Sequence, residues 1–232
     1  MRLDKALQSQ GFGTRKECRL LVNTGRVLVN GVSAASPDGE VSTAGLVLTV
    51  SGLEWAFAER VYLALNKPAD MECSHTPTHH PSVFSLLPPY LIARGVQCVG
   101  RLDADTTGLL LLSDDGTFIQ KMTSPKHKVP KRYVVTCAEP VTDAQVAALR
   151  AGVVLNDAPE PVSAEAERAE ERRLHLTIAE GKYHQVKRMV AAAGNHVVSL
   201  HRDRVGALEL PSSLAPREWM RIDPISVQSI AP

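Results

Sequence analysis

Gly100-Arg101-Leu102-Asp103-Ala104-Asp105-Thr106-Thr107-Gly108-Leu109-Leu110-Leu111-Leu112-Ser113-Asp114-Asp115-Gly116 passes from a polar loop with two carboxylates into four leucines and stops at Asp-Asp-Gly. The leucine run is short, unbroken and bounded by turn residues, the pattern of a strand buried on both faces. Asp114-Asp115-Gly116 reads as the closing turn, with Gly116 free to take a positive φ. What precedes the strand is an irregular acidic loop joined to a rigid core element, a frequent setting for functional side chains. Asp103 is the residue whose role most needs an explanation.

The 232 residues suffice for one large domain or two unequal ones, and a hydrophobic fraction of 44% with 22% charged residues is that of a soluble globular chain. No charged start leads into an apolar segment and no apolar run reaches about 18 residues, so a cytoplasmic protein without membrane insertion is expected. Cys18, Cys73, Cys98 and Cys137 lack CxxC spacing, which argues against a zinc ribbon or a disulfide framework and fits a reducing compartment. The net charge of +1 conceals an uneven distribution. Residues 1–33 carry Arg2, Lys5, Arg15, Lys16, Arg19 and Arg26 against Asp4 and Glu17, and Lys121 to Arg132 holds Lys121, Lys126, Lys128, Lys131 and Arg132 with no acid. Segregation of this kind predicts a side that faces a polyanion.

Along the chain, residues 2–9 form a short helix with Leu3 and Leu7 one turn apart. Thr14-Arg15-Lys16-Glu17 is a capping box that starts a second helix, burying Cys18, Leu21 and Val22, showing Arg15, Lys16 and Arg19 to solvent, and ending at Gly25. Val27-Leu28-Val29-Asn30-Gly31 is a strand entering a tight hairpin turn. Tyr62 to Lys67 is a buried strand halted by Pro68. The following loop holds Cys73, His75, His79 and His80, but Pro77 and Pro81 prevent helical presentation of a metal-ligand pair. Strands are expected at Tyr133–Cys137, Val153–Leu155, Val162–Ala166, Leu174–Ile178, His196–His201 and Val205–Leu210. A helix capped by Thr142 or Asp143 lies between them, and another carries Val186, Met189, Val190 and Ala193 as its buried stripe, with His184, Lys187 and Arg188 on the other face. Many strands, few helices and no regular alternation predict an α+β fold with a mixed, mostly antiparallel sheet.

Three chemistries compete for the acidic loop. Asp103-x-Asp105-x-Thr107 fits a phosphatase nucleophile motif, yet the residues before it make a poor apolar strand and no downstream acidic magnesium motif follows. It also imitates a calcium loop, but leucines occupy the intermediate positions and the terminal glutamate is absent.

The third reading accounts for more of the chain. Gly-Arg-Leu-Asp-x-x-Thr-x-Gly-Leu-Leu-Leu-Leu-x-x-Asp-Gly resembles the signature of pseudouridine synthases. The likeness extends to Leu65-Asn66-Lys67-Pro68, to Ser124-Pro125 through Tyr133, and to Glu180 through Met189. Residues Arg2–Leu7, Thr14–Glu17 and Gly25–Gly31 resemble an S-four-type RNA-binding domain. The resemblance implies residues 1–59 as that domain with a linker and 60–232 as the catalytic domain. It implies Asp103 as catalytic carboxylate, Tyr133 as the aromatic packing on a flipped base, and Lys187 as the cation paired with Asp103, a position more often Arg in large-subunit relatives. RNA contacts are expected from Arg2, Lys5, Arg15, Lys16, Arg19, Arg26, Arg101, Lys131, His184 and Arg188. Tyr183 to Met189 and Ala192 to Val198 look most like the branch acting on 16S rRNA, so the expected partner is 16S rRNA or a small-subunit assembly intermediate. A monomer with no cofactor and no metal is expected. A 23S-directed enzyme and a non-catalytic assembly factor are the rivals.

Overall fold

The computed structural model describes residues 1–156, 158 and 160–223. They form two compact units. The smaller takes in Met1–Val61 and Leu87–Gln97, and the larger the rest.

In the smaller unit α1 (Leu3–Ser9) and α2 (Arg15–Asn23) pack beside a four-stranded sheet of order β2-β1-β3-β4, with β1 at Val27–Val29, β2 at Val32–Ser33, β3 at Val47–Val50 and β4 at Leu53–Ala56. Its core joins Leu3, Leu7, Cys18, Val22, Val27 and Leu48. The Thr14–Glu17 capping box forms as expected: the Glu17 amide donates to the Thr14 hydroxyl and the Thr14 amide to the Glu17 carboxylate. Asn30 and Gly31 both take positive φ, the requirement of a two-residue hairpin turn that follows the twist of its strands. A short helix, α3 (Pro89–Ala93), completes the unit. Tyr90 meets Phe12 and Trp55 at centroid distances of 5.4 and 5.0 Å, and Arg94 donates to Gln10 and to the Ala58 carbonyl. A cut at residue 59 would therefore strip α3 of its aromatic partners.

The larger unit is built on a nine-stranded sheet whose main path runs β13-β5-β7-β11-β8-β10-β9. The strands are β5 (Tyr62–Lys67), the two-residue β6 (Gln97–Cys98), β7 (Thr107–Ser113), β8 (Lys131–Cys137), β9 (Glu165–Glu170), β10 (Arg173–Ile178), β11 (Val197–Val205), β12 (Leu208–Glu209) and β13 (Trp219–Arg221). All pairings given for the named strands in this path are antiparallel except β7 with β11, so the sheet is mixed and mostly antiparallel. The leucines of β7 are fully buried: Leu109 and Leu111 pack with Phe118 and Met122 of α4 (Gly116–Thr123), while Leu110 and Leu112, pointing the other way, are equally sealed. Two further helices, α5 (Asp143–Ala151) and α6 (Gln185–Ala192), belong to this unit.

Several local expectations need correction. Gly116 is not a positive-φ turn residue but the first residue of α4, because Asp115 caps the helix by accepting from the Thr117 and Phe118 amides. A glycine that the larger unit does require is Gly108, at φ +100°, where a Cβ would lie 2.2 Å from the Arg202 carbonyl oxygen of the neighbouring strand. Val153–Leu155 and Val162–Ala166 are not full strands; they meet through one bridge, Val153 to Val162, and the strand begins at Glu165. His196–His201 and Val205 are not separate elements, since β11 runs unbroken from Val197 to Val205. β13 had no strong sequence signal and is recruited by pairing with β5.

Candidate active site

The acidic loop is fixed from beneath by a buried cation. Lys67, the last residue of β5, is fully buried, and its ammonium donates to the carbonyls of Pro68, Ala104 and Thr106 at 3.0, 2.8 and 2.9 Å. Three carbonyl dipoles hold the charge that burial disfavours, and in return the cation sets the path of the Asp103–Thr106 turn, closed by the Thr106 amide on the Asp103 carbonyl. A second tether is the Leu102 amide, which donates to the Cys73 sulfur at 3.5 Å. The Cys98 thiol hydrogen-bonds to Cys73, pushing the Cys73 pKa down to about 7 and that of Cys98 up.

Asp103 opens onto a cavity of about 600 Å³ lined by Arg101, Lys131, Tyr133, Tyr183 and Arg202 among others. Its carboxylate is about one-third exposed and has two loose nitrogen contacts, His184 Nε2 at 3.5 Å and the Lys187 ammonium at 3.6 Å. Lys187 makes its short hydrogen bonds elsewhere, donating to both Asp105 oxygens at 2.7 Å. Burial acts to raise the Asp105 carboxyl, and the Lys187 bonds and charge outweigh it, holding that group below its ordinary value. So Lys187 stands between two carboxylates, bound to one and facing the other.

Tyr133 in β8 is 7% exposed and lines the cavity beside Asp103. Two strand positions away, Lys131 Nζ donates to the Val129 carbonyl, while burial and then Arg202 push its pKa down to about 8. His184 is not part of a helical face as the spacing predicted. It precedes α6 in a left-handed conformation, φ 48°, which turns its ring toward Asp103 and against Tyr183, with ring centroids 3.8 Å apart and planes at 17°. Arg188 lies half-buried on α6 and Arg101 is exposed at the cavity.

Two residues that sequence reasoning passed over help build this site. Lys67 carried a usable signal, a lysine ending a buried strand just before proline. Arg202 carried none: it is 3% exposed, donates to the Leu109 carbonyl at 2.8 Å, and reaches the cavity because β11 lies parallel to β7. The His/Cys loop is organised without a metal cluster among the described residues: Glu72 accepts from the amides of Thr78, His79 and His80, and His75 stacks on Phe84.

The N-terminal basic residues divide into two groups. Lys5, Lys16 and Arg26 are exposed. Arg2, Arg15 and Arg19 instead converge on the fully buried Asp4, and Arg2 and Arg19 also pair with Asp38. No helix among the described residues is long and apolar enough to cross a membrane.

Comparison with known proteins bears on both units. Residues 1–47 match the S4 domain, and residues 61–192 match the RNA pseudouridylate synthase family. The chain is 40% identical to the ribosomal small subunit pseudouridine synthase A of Vibrio vulnificus (strain CMCP6) over 99% of both chains, and 36% identical to its namesake from Haemophilus influenzae over the same shares. A crystal structure of a pseudouridylate synthase, 35% identical, superposes with a TM-score of 0.70 over 99% of each chain. With an S4 domain before its catalytic unit, the chain belongs to the RNA pseudouridylate synthase family.

Proposed function

We propose that the chain isomerises one uridine of 16S ribosomal RNA, within the naked RNA or a small-subunit assembly intermediate, and that Asp103 is the carboxylate that does it. The observation that carries the reading is a partly exposed carboxylate lining a cavity that also holds Tyr133, with an imidazole and an ammonium near it but neither closed upon it. Isomerisation breaks the bond from C1′ to N1 and makes one from C1′ to C5. C5 loses its proton and N1 gains one, so substrate and product contain the same atoms and no electron acceptor is consumed. A carboxylate serves either as nucleophile or as base at the sugar. Lys187 stands 3.6 Å and His184 3.5 Å from that carboxylate, and Tyr133 packs against the base once that base has left its stack. The exposed Lys5, Lys16 and Arg26 supply phosphate contacts that position the RNA without reading its sequence.

The test is tritium release from uridine labelled at C5, because the C5 proton departs in the reaction. We expect release from 16S transcripts or assembly intermediates without added metal. Release from 23S transcripts alone would overturn the target, and tight RNA binding with no release would favour a non-catalytic assembly factor.

A further inference from the structure

Tyr183 is 76% exposed, yet its ring is not loose. It stacks on His184 at 3.8 Å, and His184 is itself set by a left-handed backbone and by its 3.5 Å contact to Asp103. A solitary exposed aromatic needs no explanation. One held flat against a second ring, on the wall of the cavity that contains Asp103, presents its outer face at a defined place. We propose that this outer face is a stacking platform for an unpaired RNA base next to the uridine that enters the cavity. The inference rests on the reading of that cavity as a uridine site.

Burial decides between the target base and its neighbour. Tyr133 and Tyr183 line the same cavity as Asp103, but Tyr133 is 7% exposed and Tyr183 is 76% exposed. The inner ring is in place for the base that enters the cavity, and the outer one for the nucleotide that stays outside it. Every base has a π-face, so such a platform anchors the flanking nucleotide with little regard to its identity. An unstacked neighbour would also reduce the cost of extruding the target, since one of its two stacking partners is already engaged by protein. Arg101, exposed on the same cavity wall, is placed for the phosphate of such a strand.

The experiment uses the full chain and a short 16S RNA fragment that the wild-type protein binds. Tyr183→Ala is expected to raise KM and the RNA dissociation constant about tenfold, with the larger part of the loss in KM rather than kcat. Tyr183→Phe and Tyr183→Trp, which keep a π-face, are expected to restore binding to within about threefold. Because no charge is removed, the salt dependence of binding should keep its slope. An abasic nucleotide beside the target should weaken the wild-type protein and leave Tyr183→Ala unaffected. Equal binding by wild type and Tyr183→Ala, or an equal abasic penalty in both, would overturn the platform; so would a loss that Tyr183→Phe fails to restore. A wild-type protein that binds this RNA but releases no tritium would sink the uridine reading instead, and the Tyr183 comparison by binding alone would still stand or fall by itself.

Discussion

The two units each contain an aspartate flanked by basic side chains, and the two are handled in opposite ways. Asp4 is completely buried and saturated: Arg2, Arg15 and Arg19 donate to it at 2.9 to 3.2 Å, and the hydrogen bonds from Arg2, followed by those from Arg15 and Arg19, hold its carboxyl far below the usual range. Asp103 is about one-third exposed, and its neighbours His184 and Lys187 stop at 3.5 and 3.6 Å. A carboxylate whose lone pairs are all engaged is structural, since any substrate would first have to displace its partners. One that is positioned and incompletely bonded can react. The fold achieves the second state by giving Lys187 a separate partner, Asp105.

Neutralising each aspartate should split along this line. Asp103→Asn should reduce pseudouridine formation about 10⁴-fold while RNA affinity and the melting midpoint stay near wild type; rate measurements at saturating RNA beside a thermal scan decide it. A residual rate near wild type would end the assignment of Asp103. Next in size is Lys187→Met, for which single-turnover kinetics should show a loss of about 10²-fold, since one cation facing the reacting carboxylate is gone while His184 remains.

Asp4→Ala should act on stability instead, lowering the melting midpoint by roughly 5 °C, because three arginines lose their common acceptor while staying partly hydrated. The sign with pH follows from a depressed native pKa. The stabilisation is fully present above about pH 4, the ordinary aspartate value, and drains away as pH falls toward the lower native one. Melting scans across that range should show wild type converging on Asp4→Ala in acid; parallel curves would contradict the saturated picture. The same contrast applies to RNA. Lys5, Lys16 and Arg26 are exposed, so their triple alanine variant should bind about tenfold more weakly at moderate salt and with a salt slope shallower by about 2 to 3. Unchanged slope would move the interface elsewhere.

What could be read from the sequence was whatever is encoded locally. The capping box at Thr14, the helix start at Thr142 or Asp143, the Asn30-Gly31 hairpin and the four-leucine strand depend on residues within a few positions of one another, and all are present, the second with Thr142 as its cap. The approach of Asp103, Tyr133, His184 and Lys187 was legible only through family resemblance, because sheet order and not spacing joins β7, β8 and the loop before α6. Where the sequence misled, a tertiary partner prevailed. Arg19 read as solvent-facing on helical period, and a buried Asp4 fifteen residues earlier draws it to half-burial, while Arg15 stays exposed as read and still donates to the same carboxylate. His184 read as part of a helix, and its left-handed backbone ends that regularity one residue before α6 begins. Lys67 read as the polar end of a strand; the carbonyls that need it lie in a loop nearly forty residues later.

A third carboxylate gives the smallest and most local test of the contrast. Glu72 lines the same cavity as Asp103, but it binds backbone rather than cationic side chains: Oε1 accepts from the His79 and His80 amides at 2.7 and 2.9 Å, and Oε2 from Thr78 at 3.0 Å. Those bonds hold its carboxyl down to about 2. It thereby closes the turn that carries His79 and His80, doing for one loop what Asp4 does for a helix pair, and its negative charge is absorbed by amide dipoles rather than offered to substrate. Glu72→Gln keeps the shape but replaces a charged acceptor pair with one carbonyl and one donor, so the three amides cannot all be satisfied. Amide exchange at Thr78, His79 and His80 should then speed up a few-fold, with global stability little changed. In the wild type the protection factors of the same amides, taken against the intrinsic exchange rate at each pH, should fall as pH drops from above 4.3 toward 2, since protonation removes the acceptor. If Glu72→Gln instead abolished turnover as Asp103→Asn does, a carboxylate saturated by hydrogen bonds would prove as reactive as an open one, and the distinction between Asp4 and Asp103 would lose its physical basis.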